Sequence, residues 1–154
     1  MKLHCFNNIE ILAYFDTNKQ STSVLNEYGK LYSYNYSLKN YVNRLCIRYG
    51  STLDGRVEAF RELLGVSQKP CIFVSDIDKI FYIPTRSLYT NGCFLINYYT
   101  IQKVIKITEY STTIIFVSGI EYTIQENIRV IKRQIARAEK FLEIYYGSDR
   151  KNFL

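Results

Sequence analysis

Arginine and hydroxyl side chains at predicted turns are the residues of this chain whose types and spacing could do chemistry. The segment Pro84-Thr85-Arg86-Ser87 offers two hydroxyls and one guanidinium, and Asn91-Gly92 closes the loop. Hydroxyls and arginine are the groups that hold phosphates or enter a narrow minor groove of DNA. The same four residues also fit a plain turn with proline at its first position and a solvated arginine.

A second cationic group falls on a predicted helix near the end of the chain. Segment 124–146 contains five basic residues and three acidic ones, and the acidic ones lie near its ends. The basic residues are Arg129, Lys132, Arg133, Arg137 and Lys140. A phosphate-contacting face and an ordinary solvated face both fit this pattern, and we take phosphate contact by Arg129, Arg133 and Arg137 as the hypothesis.

Arg48 and Arg56 flank a turn that contains Gly50 and Gly55. Gly50 suits a left-handed helix stop and Gly55 a close approach of two backbones, so architecture explains both glycines. Arg56 has no such role and is a candidate phosphate or groove contact, and Arg48 joins it if the turn folds two helices together. The alternative is an ion pair between Arg56 and an acidic residue of its own helix: Asp54, Glu58 or Glu62.

The chain lacks the residue combinations that catalysis or metal binding requires. His4 is the only histidine, so neither a Ser/His/Asp nor a Cys/His arrangement can be assembled around a second one. Asp76 and Asp78 are too few for a metal site, and no phosphate-binding glycine loop is present. The cysteines are widely scattered without a Cys-x-x-Cys pair and are expected to be free thiols: Cys5, Cys46, Cys71 and Cys93. We therefore expect no enzyme, no metal and no cofactor.

Composition indicates one globular domain over residues 1–154. Hydrophobic residues make up 47% and charged residues 22%, which excludes a disordered chain. Twenty basic residues against 14 acidic ones give a net charge of +6, which favours a polyanionic partner. Neither an apolar signal segment nor a run of eighteen apolar residues occurs, so we expect a cytoplasmic protein, associated with the nucleoid if the partner is DNA.

The periodicity predicts an α+β fold. Alternating patterns predict short strands over 9–15, 31–36, 71–75, 79–83, 93–97, 103–109, 112–118 and 120–124, with a polar connection over 16–23. Helical spacing predicts one helix from a cap at Ser37 to Gly50, and a second from Ser51 or Thr52 to Gly65. A third helix is expected to continue directly from Ile124 to about Tyr146. The predicted architecture is an antiparallel β-meander or partly closed sheet, with an inserted helical hairpin and a long C-terminal helix.

Two of these elements suggest nucleic-acid binding only superficially. The helical hairpin has the outline of a helix-turn-helix, but the acidic residues of its second helix do not suit a DNA groove, so a structural hairpin is favoured. Tyr32, Tyr34 and Tyr36 share one side of a predicted strand. They fit a stacking platform for single-stranded nucleic acid, or, the interpretation we favour, a strand face that a helix covers.

The last helix carries apolar residues at 3-4-3-4-3 spacing, the rhythm of a helix seam. These residues are Ile128, Ile131, Ile135, Ala138, Leu142 and Tyr145. Packing onto the chain's own sheet is the favoured interpretation, and a homo-oligomer seam through Ile128, Ile131, Ile135 and Leu142 is the alternative.

Four short motifs resemble the ComK-type competence transcription factor family in their order and spacing. They are Cys-Ile-Arg-Tyr-Gly-Ser at 46–51, Gly-Arg at 55–56, Ile-Phe-Tyr-Ile-Pro-Thr-Arg-Ser at 80–87 and Cys-Phe-Leu-Ile at 93–96. The Pro-Thr pair after an apolar strand is typical of the family and matches Pro84-Thr85. The family usually has its arginine directly after the first cysteine, whereas here Ile47 intervenes before Arg48.

The resemblance implies a DNA-binding activator of DNA-uptake genes that binds A·T-rich double-stranded sites through the minor groove as a homo-oligomer. With the resemblance, the predicted DNA-binding residues from the motifs are Arg48, Arg56, Thr85, Arg86 and Ser87. The charge pattern of the last helix adds Arg129, Arg133 and Arg137 to this set. RNA polymerase is a further implied partner. Control by an adaptor and a protease is implied less strongly, because family members usually continue well beyond the long helix.

Two other interpretations stay open. Segment 94–124 with its closing helix has a weaker likeness of pattern to LytTR-type DNA-binding domains. A β-barrel-plus-helix module that binds protein or lipid instead of DNA is the rival from another class. Salt-dependent retention on A·T-rich duplex DNA separates the DNA-binding interpretations from this rival.

Overall fold

The structure is a computed structural model that describes residues 9–147, so His4 and Cys5 lie outside the described residues. Its strands are β1 (Glu10–Asp16), β2 (Ser21–Asn26), β3 (Leu31–Tyr34), β4 (Ile72–Ser75), β5 (Ile80–Pro84), β6 (Phe94–Asn97), β7 (Ile101–Thr108), β8 (Ser111–Phe116) and β9 (Glu121–Ile124). Its α-helices are α1 (Leu38–Arg48), α2 (Leu53–Leu64) and α3 (Ile128–Tyr146). The predicted α+β class, with an inserted helical hairpin and a long last helix, is confirmed.

The strands form two antiparallel sheets. One has six strands in the order β3-β2-β1-β6-β5-β4 and the other has three in the order β7-β8-β9, and residues 9–147 contain no closed barrel. The predicted run of strands is thus divided between two sheets after Asn97. A short 3-10 helix, Tyr98–Thr100, makes the break: the Asn97 side chain accepts from the Tyr99 amide, and the Thr100 hydroxyl donates to the Asn97 carbonyl at 2.7 Å.

The polar connection expected over residues 16–23 was wrong, because β2 begins at Ser21 and is buried along its whole length. The Ser21 and Thr22 side chains are hydrogen-bonded inside the protein, whereas Ser23 Oγ is buried without a partner among the described residues. The Thr22 hydroxyl donates to the Tyr36 carbonyl at 2.7 Å, and the Ser33 hydroxyl donates to Ser21 Oγ at 2.9 Å. A polar segment can lie in a buried strand when its side chains have such partners, which hydrophobic periodicity does not reveal.

The helix boundaries mostly follow the predicted caps. Ser37 caps α1 and Thr52 caps α2, while Gly50 and Gly65 adopt left-handed φ angles of 81° and 67° where these helices end. The last helix was expected to continue directly from Ile124. It begins later, because Asn127 caps α3 by accepting from the Arg129 amide.

The six-stranded sheet has a hydrophobic cluster on each face. One cluster joins the sheet to α1 through residues such as Val42, Leu45 and Tyr82. The other joins it to α3 and the three-stranded sheet, with Ile114 and Phe141 among its members. Helix α2 contributes Leu53 to the first cluster and Phe60 to the second. Helices α1 and α3 therefore lie over opposite faces of one sheet.

The buried face of α3 is rotated from the predicted seam. Its buried residues are Ile131, Gln134, Ala138, Phe141 and Ile144. Ile128, Ile135, Leu142 and Tyr145 lie on or beside the flank of this face and are half-buried. Packing of the helix onto the chain's own core, the favoured interpretation, is therefore what the structure has.

Candidate nucleic-acid interface

The surface that best suits a polyanion is one flank of α3. Arg129, Arg133 and Arg137 are spaced four residues apart, and Lys140 follows three residues later, so that the four side chains share one side of the helix. We call these four residues the α3 basic face. Arg129, Arg133 and Lys140 are exposed and Arg137 is half-buried. Lys140 also makes a loose ion pair with Glu143 at 3.8 Å.

A buried glutamine fixes the position of this face. Gln134 is 1% exposed, and its side-chain amide donates to the carbonyls of Lys69 at 2.9 Å and Pro84 at 2.7 Å. Arg137 donates to Gln134 Oε1 at 3.1 Å and to the Gln68 carbonyl at 3.1 Å. Gln134 thus ties α3 to the two loops beside it, and it also holds Arg137 partly away from an external ligand.

Sequence reasoning missed Gln134, although a signal was present. The buried positions 131, 134, 138 and 141 have the same 3-4-3 spacing as the predicted seam. Because the residue at the second of these positions, Gln134, is polar, the apolar pattern did not indicate this buried face. A glutamine between apolar neighbours at helical spacing is a sign of buried hydrogen-bonding carbonyls nearby.

A cleft of about 610 Å³ lies beside the first turn of α3. Helix α2, segment 67–70, segment 84–90 and the start of α3 line it. Three cationic side chains face two carboxylates in its lining: Arg61, Lys69 and Arg86 against Asp54 and Glu126. The cleft is therefore of mixed charge, and the surface richest in basic side chains is the helix flank beside it.

Arg86 is held by an ion pair rather than being a solvated turn residue. Its Nε donates to Glu126 Oε2 at 3.0 Å, and 45% of the Arg86 side chain remains exposed, compared with 14% for Glu126. Because Glu126 directly precedes the cap of α3, this contact brings the loop to the beginning of the α3 basic face. A groove contact by Arg86 would require the guanidinium to leave Glu126.

The two hydroxyls of the loop have different environments. Thr85 is 2% exposed, and it exchanges two hydrogen bonds with Phe94: the Thr85 amide donates to the Phe94 carbonyl at 3.0 Å, and Thr85 Oγ1 accepts from the Phe94 amide at 3.0 Å. Its hydroxyl serves the β5–β6 pairing and does not reach the surface. Ser87 is exposed, and its Oγ accepts from the Tyr89 amide at 3.3 Å.

Arg56 lies in the turn between α1 and α2. Its Nη2 donates to the Tyr49 carbonyl at 3.5 Å, and its Nε is buried without a hydrogen-bond partner. Within residues 9–147 no carboxylate lies within ion-pair distance of Arg56, so the ion pair considered as the alternative is absent. A Cβ at Gly55 would lie 3.0 Å from Ser51 Oγ and 3.3 Å from Thr52 Oγ1, so the close neighbours there are side-chain hydroxyls and not the second backbone that was predicted.

Arg48 belongs to a different surface. It lies exposed in the last turn of α1 and lines a pocket with Glu10, Tyr34, Tyr36 and Arg44, among others. The eight arginine, serine and threonine residues predicted from the sequence therefore fall into separate places. Arg86, Ser87, Arg129, Arg133 and Arg137 lie around the flank of α3, Arg48 and Arg56 lie beside the α1–α2 turn, and Thr85 is buried.

The described thiols are not poised for chemistry. Burial raises the pKa of Cys46 to about 11, that of Cys71 to about 12 and that of Cys93 to about 11. All three are free and buried, so the nucleophilic thiolate is disfavoured at neutral pH. Among the helices of residues 9–147, none has both the length and the apolar character needed to cross a membrane.

Comparison with known proteins places the chain in a family. The family model described as ComK protein matches residues 6–150 of the 154-residue chain. No curated protein and no solved structure matches the chain.

Proposed function

The chain belongs to the ComK family, a family of competence transcription factors and not of enzymes, and we propose that it binds double-stranded DNA through the α3 basic face and the Arg86–Ser87 loop. The observation that carries the proposal is the row of basic residues on one exposed helix flank. Cations along such a row can neutralise successive phosphates and release their counterions, which gives binding a steep salt dependence.

We further propose a preference for A·T-rich sites, read by Arg86 in the minor groove. A narrow A·T minor groove has an enhanced negative potential that attracts arginine. Arg86 is almost half exposed and lies at the beginning of the α3 basic face. Phosphate contacts along the helix would therefore place the Arg86–Ser87 loop next to the minor groove. In this proposal Arg48 and Arg56 lie outside the interface, and Thr85 only shapes the loop.

Homo-oligomer formation is part of the proposal, since paired A·T-rich sites are matched best by paired subunits. Of the four residues of the predicted oligomer seam, Ile131 is fully buried in the chain's own core. The other three, Ile128, Ile135 and Leu142, are half-buried, and in this proposal they contact the second subunit. Competence gene activation would additionally require contact with RNA polymerase. Sedimentation of the free protein and of its DNA complex tests for the homo-oligomer. A protein that is monomeric in both states would rule out homo-oligomer formation.

Fluorescence anisotropy with A·T-rich and G·C-rich duplexes of one length tests DNA binding. The double variant Arg129→Gln/Arg133→Gln should lower the slope of log affinity against log salt by about 2, since each lost phosphate contact removes about one unit. Lys30→Gln is the matched control, because Lys30 lies between β2 and β3 at the opposite end of the strands from Arg86. Equal slopes for the double variant and the wild type would reject the interface, and equal affinity for both duplexes would reject the A·T preference.

A second candidate function, binding of another protein, is favoured by β7. This eight-residue strand lies at the edge of the three-stranded sheet and exposes Ile105 and Ile107, with Tyr110 following in the turn. An unpaired edge with apolar side chains can pair with a strand of another chain. Absence of salt-dependent retention on any duplex would favour this candidate over the first.

A further inference from the structure

A second concave site lies on the other face of the six-stranded sheet, where α1 crosses β1 and β3. It has a volume of about 290 Å³, at the lower end of the range for small-ligand pockets. Its lining combines three kinds of side chain: tyrosines and aliphatic residues, one carboxylate and two arginines. These residues are Tyr34, Tyr36, Tyr41, Leu45, Ile47, Glu10, Arg44 and Arg48. We call it the Glu10 pocket.

The carboxylate of this pocket is fixed in place by two buried phenols. Tyr82 donates to Glu10 Oε1 at 2.7 Å, and Tyr41 donates to the same oxygen. Both phenols stay protonated, because burial and the neighbouring Glu10 carboxylate raise the pKa of each well above its usual value. Within residues 9–147, Glu10 Oε2 has no such donor, so one oxygen of an oriented carboxylate remains able to accept a hydrogen bond.

The wall of the pocket is aromatic, and its outer edge is cationic. The rings of Tyr34 and Tyr36 are stacked with centroids 5.9 Å apart, and Tyr34 also contacts Tyr41 at 5.3 Å. The Arg44 guanidinium lies 4.3 Å from the centre of the Tyr36 ring. Arg44 and Arg48 are both exposed, whereas Tyr41 is buried and Glu10 half-buried. The lining therefore combines a half-buried acceptor, an aromatic surface and two exposed cations.

We propose that the Glu10 pocket binds a single nucleotide whose base carries an amino group. The base lies against the tyrosine wall and donates its amino group to Glu10 Oε2, as carboxylates accept from amino groups of bases. The phosphate binds Arg44 and Arg48. An organic cation is a poorer fit, although tyrosines and a carboxylate can form a cation cage, because two of the three charged groups of the lining are arginines.

This site is separate from the proposed duplex interface. Helices α1 and α3 cover opposite faces of the six-stranded sheet, and the pocket shares no lining residue with the α3 basic face. A base inside a duplex is stacked on its neighbours, so a base that lies against the tyrosine wall must be unstacked and unpaired. The ligand is therefore either a free nucleotide or the terminal nucleotide of a single strand, and both present the same base and phosphate.

Calorimetric titration of the full chain with GMP, CMP, UMP, guanosine and inorganic phosphate tests the proposal. We expect GMP and CMP to bind about tenfold more tightly than UMP, which lacks the amino group, and than guanosine, which lacks the phosphate. A 5′-phosphorylated trinucleotide distinguishes the two sources, since a strand-end site binds it at least as tightly as GMP and a free-nucleotide site excludes it. Binding of inorganic phosphate as tight as that of GMP, or no binding of any nucleotide, would overturn the proposal.

Variants on one helix supply the matched comparison. Arg48→Gln and Arg44→Gln should each weaken GMP binding about tenfold, while Lys39→Gln should leave it unchanged, because Lys39 lies over the Tyr89 ring and not in the pocket. Glu10→Gln should abolish the preference for GMP over UMP, with a thermal melt to verify folding. If Glu10→Gln does not fold, the two arginine variants still test the proposal. Unchanged GMP affinity in both Arg44→Gln and Arg48→Gln would contradict nucleotide binding in the Glu10 pocket.

Discussion

The α3 basic face and the Glu10 pocket both display arginines on helices, yet the two regions differ in what surrounds those arginines. On α3 the basic side chains stand in a row on one helix flank, and only Arg137 and Lys140, towards the end of the row, have carbonyl or carboxylate contacts among the described residues. In the pocket, Arg44 and Arg48 stand at the mouth of a concave site with a carboxylate inside it. The first arrangement suits repeated phosphates of a duplex, and the second suits one small anion with a flat ring.

The two regions also differ in what holds them in place. Beneath α3 most of the support is apolar, and Gln134 adds hydrogen bonds to two neighbouring carbonyls. The apolar part is a group of aromatic rings in contact with one another: Phe60, Phe73, Phe81, Phe141 and Tyr145. Beneath the pocket the support is polar, because two phenols position Glu10. A cavity should therefore damage the first region most, and a lost hydroxyl should damage the second.

The largest effect is expected for Phe141→Ala. Phe141 is 3% exposed, and its ring lies 5.4–5.5 Å from the rings of Phe60, Phe73 and Phe81. Removing it should lower the free energy of unfolding by about 3–5 kcal/mol, because the cavity cannot collapse fully among fixed rings. Urea unfolding measures the change, and Tyr110→Ala, at a position 77% exposed, is the control. A loss below about 1 kcal/mol would contradict the apolar support assigned to α3.

The next effect is expected for Tyr82→Phe. This change removes only the hydroxyl that donates to Glu10 Oε1 at 2.7 Å, in a fully buried position. Hydrogen bonds to charged groups contribute about 1.5–3 kcal/mol, so the free energy of unfolding should fall by that amount. Tyr32→Phe removes a hydroxyl from a half-buried residue of β3 and serves as the control. Equal stability of the two variants would show that Glu10 does not depend on this donor.

The order of elements could be predicted from the sequence because each boundary has a local cause. Ser37 and Thr52 cap helices, and Gly50 and Gly65 end them through left-handed backbone conformations. The missed strand β2 has no such signal, since Ser21 and Thr22 find their hydrogen-bond partners 12 and 14 residues away in the chain. The pairing of β1 with β6 is also non-local, so that no short segment indicates the six-stranded order.

The candidate sites could be predicted only in part, for a similar reason. Residue type and helical spacing indicated the basic row on α3, because both are local properties. The partners that decide a side chain's availability come from elsewhere: Glu126 for Arg86, Phe94 for Thr85 and Gln68 for Arg137. The Glu10 pocket joins β1, β3 and α1; of the tyrosine stripe, Tyr34 and Tyr36 contact side chains of α1 and stay half-buried in the pocket wall.

Two arginines on one flank of α3 sharpen the comparison further. Arg133 is exposed, whereas Arg137 donates to Gln68 and Gln134 at 3.1 Å each. Arg133→Gln should lower the salt slope of duplex binding by about one, and Arg137→Gln should lower it less while reducing stability by about 0.5–1.5 kcal/mol. Anisotropy across a salt series and parallel thermal melts measure both quantities. Equal slope changes for the two variants would mean that the internal hydrogen bonds do not restrain Arg137.

The smallest effect, and the one of opposite sign, is expected for Glu126→Gln. Glu126 holds Arg86 at 3.0 Å and places a negative charge at the beginning of the α3 basic face. Neutralising it frees Arg86 and removes repulsion of the phosphates. A partly exposed ion pair contributes about 0.2–1 kcal/mol, so A·T-rich duplexes should bind about 1.4-fold to fivefold more tightly. Glu58→Gln, which removes the same charge from an exposed position of α2, is the control for net charge. If both variants bind duplex DNA more tightly by the same factor, Glu126 acts only through net charge. If only Glu126→Gln binds more tightly, and more so on A·T-rich than on G·C-rich duplexes, Arg86 is the residue that reads the groove.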